Sequence, residues 1–299
     1  MNLILAALMQ QFWAMEPAAL ERVVGVLGRR AEGARLTAEQ IEAAVGDAPI
    51  RAAERRSTSA DGSVAVIPVF GTIAHRAHMV NQVSGAGGTS TEMLGKTIRM
   101  AASDPSIAAI VLDVDSPGGA VDGTPEVVDA IFNARGSKPI VAVANSLAAS
   151  AAYWIGSAAT ELGVTPSGSI GSIGVLAVRE YLDGPDPKTG RTMEIVKAGK
   201  YKAEGMGPGP LSDDARAHLQ GMVDHYYGVM VRSIARNRGV SPDQVRTEYG
   251  EGRMFTAQEG LARGMVDRIE TLDEAVARMA NPRRRSRMGA NALALAAVR

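Results

Sequence analysis

The chain has no cysteine and only four histidines among 299 residues. Without thiols there can be no disulfide, no thiolate metal site and no cysteine nucleophile, although the compartment stays open because a cytosolic chain needs no thiols either. Excess charge is missing too: 32 basic and 32 acidic side chains cancel, which removes any global pull toward nucleic acid or an anionic membrane. Long apolar runs are also lacking. A membrane span needs about 18 consecutive apolar residues. The best early stretch, Leu3 to Met9, stops at Gln10 and has no basic residue ahead of it, so neither a span nor a signal peptide is expected. The reading is a soluble, non-secreted protein. With 33 Gly and 14 Pro, the chain is not of low complexity, and its length suits one large domain or two modest ones.

The pattern changes along the chain. Residues 1 to about 50 read as helical: Pro17 suits a first helical turn, and Leu20, Val23, Val24 and Leu27 fall on one helix face. A second helix is expected from Thr37, where Thr37-Ala-Glu-Gln40 forms a capping-box pattern. Arg51 to Gly62 reads as a linker ending in an Asp-Gly turn. Beyond it, Val64 to Phe70 is β-rich, with Pro68 pointing to an edge or bulge. Ile107 to Val114 and Ile140 to Ala144 are continuous apolar runs of the kind that form strands buried on both faces. Helical segments at Met93 to Ala102 and Thr124 to Ala134 alternate with them, which is the α/β signature. Ser212 to Arg238 reads as a long amphipathic helix. Thr256-Ala-Gln-Glu259 and Thr271-Leu-Asp-Glu274 announce two short helices. The tail from Arg278 carries six Arg and no acid, and reads as a frayed, solvated end.

Several motifs fail on inspection. Gly95-Lys96-Thr97 lacks the earlier glycine of a phosphate loop, having Ser90 instead. Gly168, Gly171 and Gly174 do not make a dinucleotide fingerprint. His75 and His78 have no third ligand nearby, and His218 and His225 sit seven apart on the long helix. Asp113 and Asp115 end a strand and read as turn or ion-pair residues.

Two motifs survive. Asp115-Ser-Pro-Gly-Gly-Ala120 joins a buried strand to a helix, where paired glycines allow close backbone approach and aimed N–H groups. Asn145 to Trp154 also follows a buried strand, and places Ser150 among alanines at a helix start, where the dipole favours developing negative charge. A serine nucleophile needs a base, and none of the four histidines lies in such a segment. Lysine is the alternative. A catalytic lysine must be neutral, so its pKa has to fall from ~10.4 toward ~7–8 through burial or hydroxyl contacts. Lys197, Lys200 and Lys202 all qualify at this level.

In order along the chain stand Asp115-Ser-Pro-Gly-Gly119, Ala148-Ala-Ser150, Gly171-Ser-Ile-Gly-Val175, Gly199-Lys-Tyr-Lys-Ala203 and Gly252-Arg-Met-Phe-Thr256 with Gly264-Met-Val-Asp267. From about Val64 to Arg268 the chain thereby resembles the signal peptide peptidase A family of serine proteases. Within that family it is similar to the shorter branch that bacteriophages use as head-maturation (prohead) proteases. The N-terminal stretch with Trp13 and Pro17 resembles that branch as well. The resemblance implies an α/β, ClpP/crotonase-like layered fold of repeated β-β-α units, assembled into homo-oligomeric rings. It implies Ser150 as nucleophile, Lys202 as general base, the N–H groups of Gly118 or Gly119 with Ala151 as oxyanion hole, and Ser172 as the hydroxyl that positions the lysine. The family often has Gly-Gly after the serine, where this chain has Ala151-Ala152.

On this reading the chain divides into a helical region and linker (1–60), a protease domain (61–277) and an Arg-rich tail (278–299). Its partners would be a protein substrate, scaffold or capsid, and further copies of itself. Neither metal nor cofactor would be required, specific nucleic-acid binding is not expected, and the setting would be the host cytoplasm or the assembling virion. Three alternatives compete: a bacterial peptidase acting on signal peptides or membrane-protein fragments, a crotonase-type acyl-CoA enzyme, and a non-catalytic ring component of the capsid.

Overall fold

The structure, a computed structural model, describes residues 11–31, 56–59, 62–76, 88–179, 195–204 and 209–281. In chain order the strands and helices are β1 (Phe12–Met15), α1 (Pro17–Ala31), β2 (Arg56–Ser59), β3 (Gly62–Phe70), β4 (Ile73–Ala74), β5 (Thr89–Ser90), α2 (Thr91–Ser103), β6 (Ile107–Ser116) and β7 (Gly118–Ala120). There follow α3 (Thr124–Ala134), β8 (Ile140–Ala149), α4 (Ala151–Ser157), β9 (Glu161–Val164), β10 (Ser169–Gly171), β11 (Leu176–Ala177), α5 (Asp213–Arg238), α6 (Pro242–Glu248), β12 (Met254–Thr256), α7 (Ala257–Ala262), β13 (Arg268–Ile269) and α8 (Leu272–Ala280). This is the α/β class expected, with β-β-α repeats visible in β4-β5-α2 and β6-β7-α3.

The two apolar runs form the centre of the larger sheet. Its order is β12-β10-β8-β6-β3-β2, with β9 and β13 branching from β8. Strands β3, β6 and β8 run parallel, in the registers Val64↔Ala109 and Ile110↔Ile140. Both faces of β6 are covered. Ile110, Leu112 and Val114 join Ile98, Val128 and Ile131 of α2 and α3 in the main core. Ala109 and Val111, with Val141 and Val143, pack instead against Leu272, Ala275 and Met279 of α8. A strand enclosed by helices on both sides has no reason to alternate polar with apolar residues, which explains the unbroken sequence.

Both capping boxes form: Thr256 and Thr271 each accept an N–H three residues on, and Glu259 and Glu274 each reach back. Behind α7, Arg238 makes a two-pronged ion pair with Asp267 at 2.8 Å, and Asp267 also accepts the Leu162 N–H at 2.7 Å. The Gly264-Met-Val-Asp267 motif therefore closes β9 against α5.

Two expectations for the N-terminal part are corrected. Residues 12–15 are not helical: β1 is an interior strand of a second, five-stranded sheet of order β11-β1-β7-β4-β5. Pairing on both edges outweighs any local helical tendency, and Phe and Trp suit a strand. The helix starts only at Pro17, where the Glu16 carboxylate accepts the Ala18 and Ala19 N–H groups. Within the segment read as linker, Arg56–Ser59 forms β2, antiparallel to β3. The helix expected from Thr37 and the body of the tail lie outside the described residues. Among the described residues no helix is long and apolar enough to cross a membrane.

Candidate active site

Ser150 lies where β8 ends and α4 begins. The parallel β8/β10 ladder has its last rung at Ala149↔Gly171, so Ser150 and Ser172 each come one residue beyond it. Both are buried and both have positive φ, 55° and 53°. Ser150, at ψ −114°, occupies a region natural to glycine. Such a conformation costs on the order of 1–3 kcal/mol and persists because neighbours hold it. The Ser150 N–H donates to the Gly171 carbonyl at 2.7 Å, and its own carbonyl accepts the Trp154 N–H at 2.9 Å. Its Oγ is 3.4 Å from the Gly174 carbonyl. Ser172 is held the same way, its N–H donating to the Arg253 carbonyl at 2.8 Å. Ser169 lies at the opposite end of β10, paired with Leu147.

The glycine pair sits on β7, beside the end of β8. The Gly118 N–H donates to the Ser116 Oγ at 3.1 Å, and that hydroxyl donates to the Gly71 carbonyl at 2.5 Å. Neither glycine has room for a side chain: a Cβ on Gly118 would lie 2.3 Å from the Ala14 carbonyl oxygen, and one on Gly119 1.9 Å from that of Ile73. The Ala151 N–H opens α4, where helix geometry supplies no acceptor, and the Ser150 side chain makes no cap. Ala151 and Ala152 are fully buried in the main core.

Asp113 and Asp115 hold the end of β8 that leads to the serine. The Asp113 carboxylate accepts from the Asn145 amide at 3.0 Å. Burial raises the Asp115 carboxyl above its ordinary range, while the Ser146 and Leu147 N–H groups pull it back down. His75 shares a hydrogen bond with Thr91 at 3.3 Å. His218 and His225 are exposed on α5. No group of metal-ligating side chains occurs among the described residues.

The lysine segment is a surface turn. It borders a hollow of about 440 Å³ lined by Arg179, Lys197, Lys200, Tyr201 and Glu204, among others. Lys197 donates to the Lys200 carbonyl and Lys200 to the Tyr201 hydroxyl. Lys202 is exposed, and its backbone N–H bonds to Gly199. Among the described residues no hydrogen bond joins Lys202 to Ser150. The structure thus brings Ser150, Ser172 and the two glycines together and leaves Lys202 outside the group. Sequence reasoning did not find Ser116, which anchors the glycine turn, or β1, which lies on it. The only signal for β1 was the aromatic pair Phe12-Trp13.

These features define a class: an α/β protein with a buried, strained serine at a strand-to-helix junction, flanked by glycine main chain. Residues 133–285 match the profile of peptidase family S49, and the chain belongs to that family. It is 29% identical to the head-tail preconnector protein GP5 of Enterobacteria phage P21, over 93% of this chain and 56% of that one. It is 30% identical to the capsid assembly protease C of Escherichia phage lambda, over 75% of this chain and 50% of that one. The chain thus spans about half the length of these relatives. Among solved structures, the membrane-bound stomatin-specific protease 1510-N aligns over 72% of this chain and 84% of its own, at 17% identity and a TM-score of 0.44.

Proposed function

We propose that the chain is a serine endopeptidase with Ser150 as nucleophile and Lys202 as base, cleaving scaffold or capsid proteins during phage head maturation. The observation that carries the reading is the strained conformation of Ser150, held beside Ser172 and the β7 glycines within a family of peptidases. The similarity to the lambda capsid assembly protease supports the substrate class.

In this mechanism Lys202 takes the Ser150 proton, and Oγ attacks the peptide carbonyl to form a C–O bond while the carbonyl π pair moves to oxygen. Because Ser116 occupies the Gly118 N–H, the oxyanion falls to the N–H groups of Gly119 and Ala151. Collapse breaks the C–N bond, and Lys202 protonates the departing amine. Water, deprotonated by the same lysine, then hydrolyses the acyl-enzyme. A base lysine needs surroundings that disfavour its charge. Lys202 is exposed in the single chain, so a neighbouring subunit is assigned the role of covering it, and activity follows assembly.

Ser150→Ala and Lys202→Ala should each abolish processing of a co-expressed scaffold or capsid protein while the oligomer persists. Normal processing by either variant overturns the assignment.

A further inference from the structure

Strand β1 is the one element whose presence beside the site the catalytic reading does not require. It pairs antiparallel with β7 on one edge, in the register Trp13↔Ala120, Ala14↔Gly119 and Met15↔Gly118, and antiparallel with β11 on the other, Phe12↔Ala177 and Trp13↔Leu176. Strands β7 and β11 meet only through it. Take β1 away and two strand edges face each other across a gap one strand wide. A slot of that kind is what an extended peptide fills, main-chain hydrogen bonds on both sides giving affinity.

The alignment with the site is close. The Glu16 N–H donates to the Pro117 carbonyl and the Val121 N–H to the Phe12 carbonyl. Antiparallel alternation then makes Ala14 and Gly119 a hydrogen-bonded pair. The Ala14 carbonyl thereby takes the N–H assigned to the oxyanion. The same oxygen lies 2.3 Å, and the Ala149 carbonyl oxygen 2.9 Å, from where a Gly118 Cβ would stand, which puts β1 next to the residue before the nucleophile. Ala14 shares the apolar cluster of Ala148, Ala151 and Ala152. With β1 in place, Ala14 and Ser150 are both 0% exposed, so no external carbonyl can reach the serine.

The strand is also separable. Trp13 and Met15 pack with Ala19, Leu20 and Val23 of α1 in a small cluster of their own, whose contacts beyond the unit are Ala120, Leu176 and Val178. Phe12 adds one ring contact, to Tyr226 of α5, at 4.8 Å. A four-residue strand that meets the main core through Ala14 and Phe12 alone is the kind of short unit that opens locally without global unfolding.

We propose that Phe12–Met15 occupies, within its own chain, the slot that an extended peptide substrate takes, so that a peptide reaches Ser150 only by displacing β1. The proposal rests on Ser150 being the nucleophile for its consequence, closure of the enzyme, but the slot itself can be tested apart from catalysis.

The test uses the full-length chain in a Ser150→Ala background and a fluorescein-labelled peptide of residues 11–16. Ala14→Pro removes the N–H of the central rung and disfavours β1 as an interior strand. The peptide should bind the Ala14→Pro chain at least tenfold more tightly than the chain with β1 intact, by fluorescence anisotropy. Equal affinity for both, or binding to neither, overturns the proposal. Trp13→Ala keeps every backbone donor and gives the same comparison if the proline variant fails to fold; a gain in affinity supports the proposal and none refutes it. With the serine restored, a fluorophosphonate should label Ser150 at least tenfold faster when β1 is weakened. Peptide binding without labelling at Ser150 would sink the catalytic reading and leave the slot standing. Labelling equally fast with β1 intact or weakened would sink the closure and leave the nucleophile standing.

Discussion

Ser150 and Ser172 leave neighbouring parallel strands at the same rung, and both turn through positive φ immediately after it. Two hydroxyl residues in a conformation suited to glycine, side by side, point to a shared task for their side chains. On that reading Ser172→Ala should lower kcat roughly tenfold or more with little change in KM and no loss of folding. Ser172→Gly relieves the backbone strain and by that route stabilises by up to about 1 kcal/mol. It should be as inactive as the alanine variant. An active glycine variant would show that the site needs the backbone turn and not the hydroxyl.

The exposure of Lys202, with no hydrogen bond to Ser150 among the described residues, predicts complementation. If the base comes from a neighbouring subunit, mixing inactive Ser150→Ala with inactive Lys202→Ala chains during assembly restores sites that pair an intact serine with an intact lysine. Activity of the co-assembled mixture, assayed against each variant alone, checks this. A mixture as dead as its components places both residues in one subunit.

Glycine positions divide by what surrounds them. Gly119→Ala drives a Cβ into the Ile73 main chain, which cannot retreat as a flexible side chain would, and should cost about 3 kcal/mol or more. Gly221 sits on α5 with nothing within 4 Å of an added Cβ. Gly221→Ala should stabilise by about 1 kcal/mol through helix propensity. Urea denaturation of the two variants gives the contrast directly.

Asp115 predicts a pH dependence. Burial, the larger influence, raises its folded-state pKa above the ordinary 3.8, against the Ser146 and Leu147 N–H groups. The folded chain therefore holds this proton more tightly than the unfolded chain. Its contribution favours folding in acid and fades as pH rises from the unfolded-state value through the folded-state one. Asp115→Asn keeps an acceptor oxygen and removes the titration. The stability of wild type relative to this variant, measured by urea denaturation from pH 3.5 upward, should fall with rising pH across that window. A rise would refute the sign.

The elements that sequence alone revealed are those whose signal is local. Thr256 and Thr271 were recognisable as caps because the partners they need, Glu259 and Glu274, stand three residues away. The β6 and β8 runs were recognisable because burial on both faces leaves no polar residue to interrupt them. Ser150 and its glycines stood out from their settings between strand and helix. What escaped depends on distant partners. Phe12–Met15 becomes a strand only because Gly118–Ala120 and Leu176–Ala177 are there to pair with it. Arg56–Ser59 looked like a linker because its four polar residues carry no apolar pattern of their own, and it becomes a strand by pairing with β3. The choice of Lys202 over Lys197 and Lys200 came from resemblance, since no local pattern separates three exposed lysines in one turn.

The grip of Arg253 on Ser172 has a consequence in time. The carbonyl that fixes the Ser172 N–H comes from the strand-leading residue of a motif about eighty positions later. At about 5–20 residues per second of synthesis, that residue is made roughly 4–16 s after Ser172. Until then β10 lacks its outer neighbour and the hydroxyl pair is not yet aligned. A nascent chain therefore carries Ser150 through about a hundred further residues of synthesis before Arg253 is there to fix its neighbour.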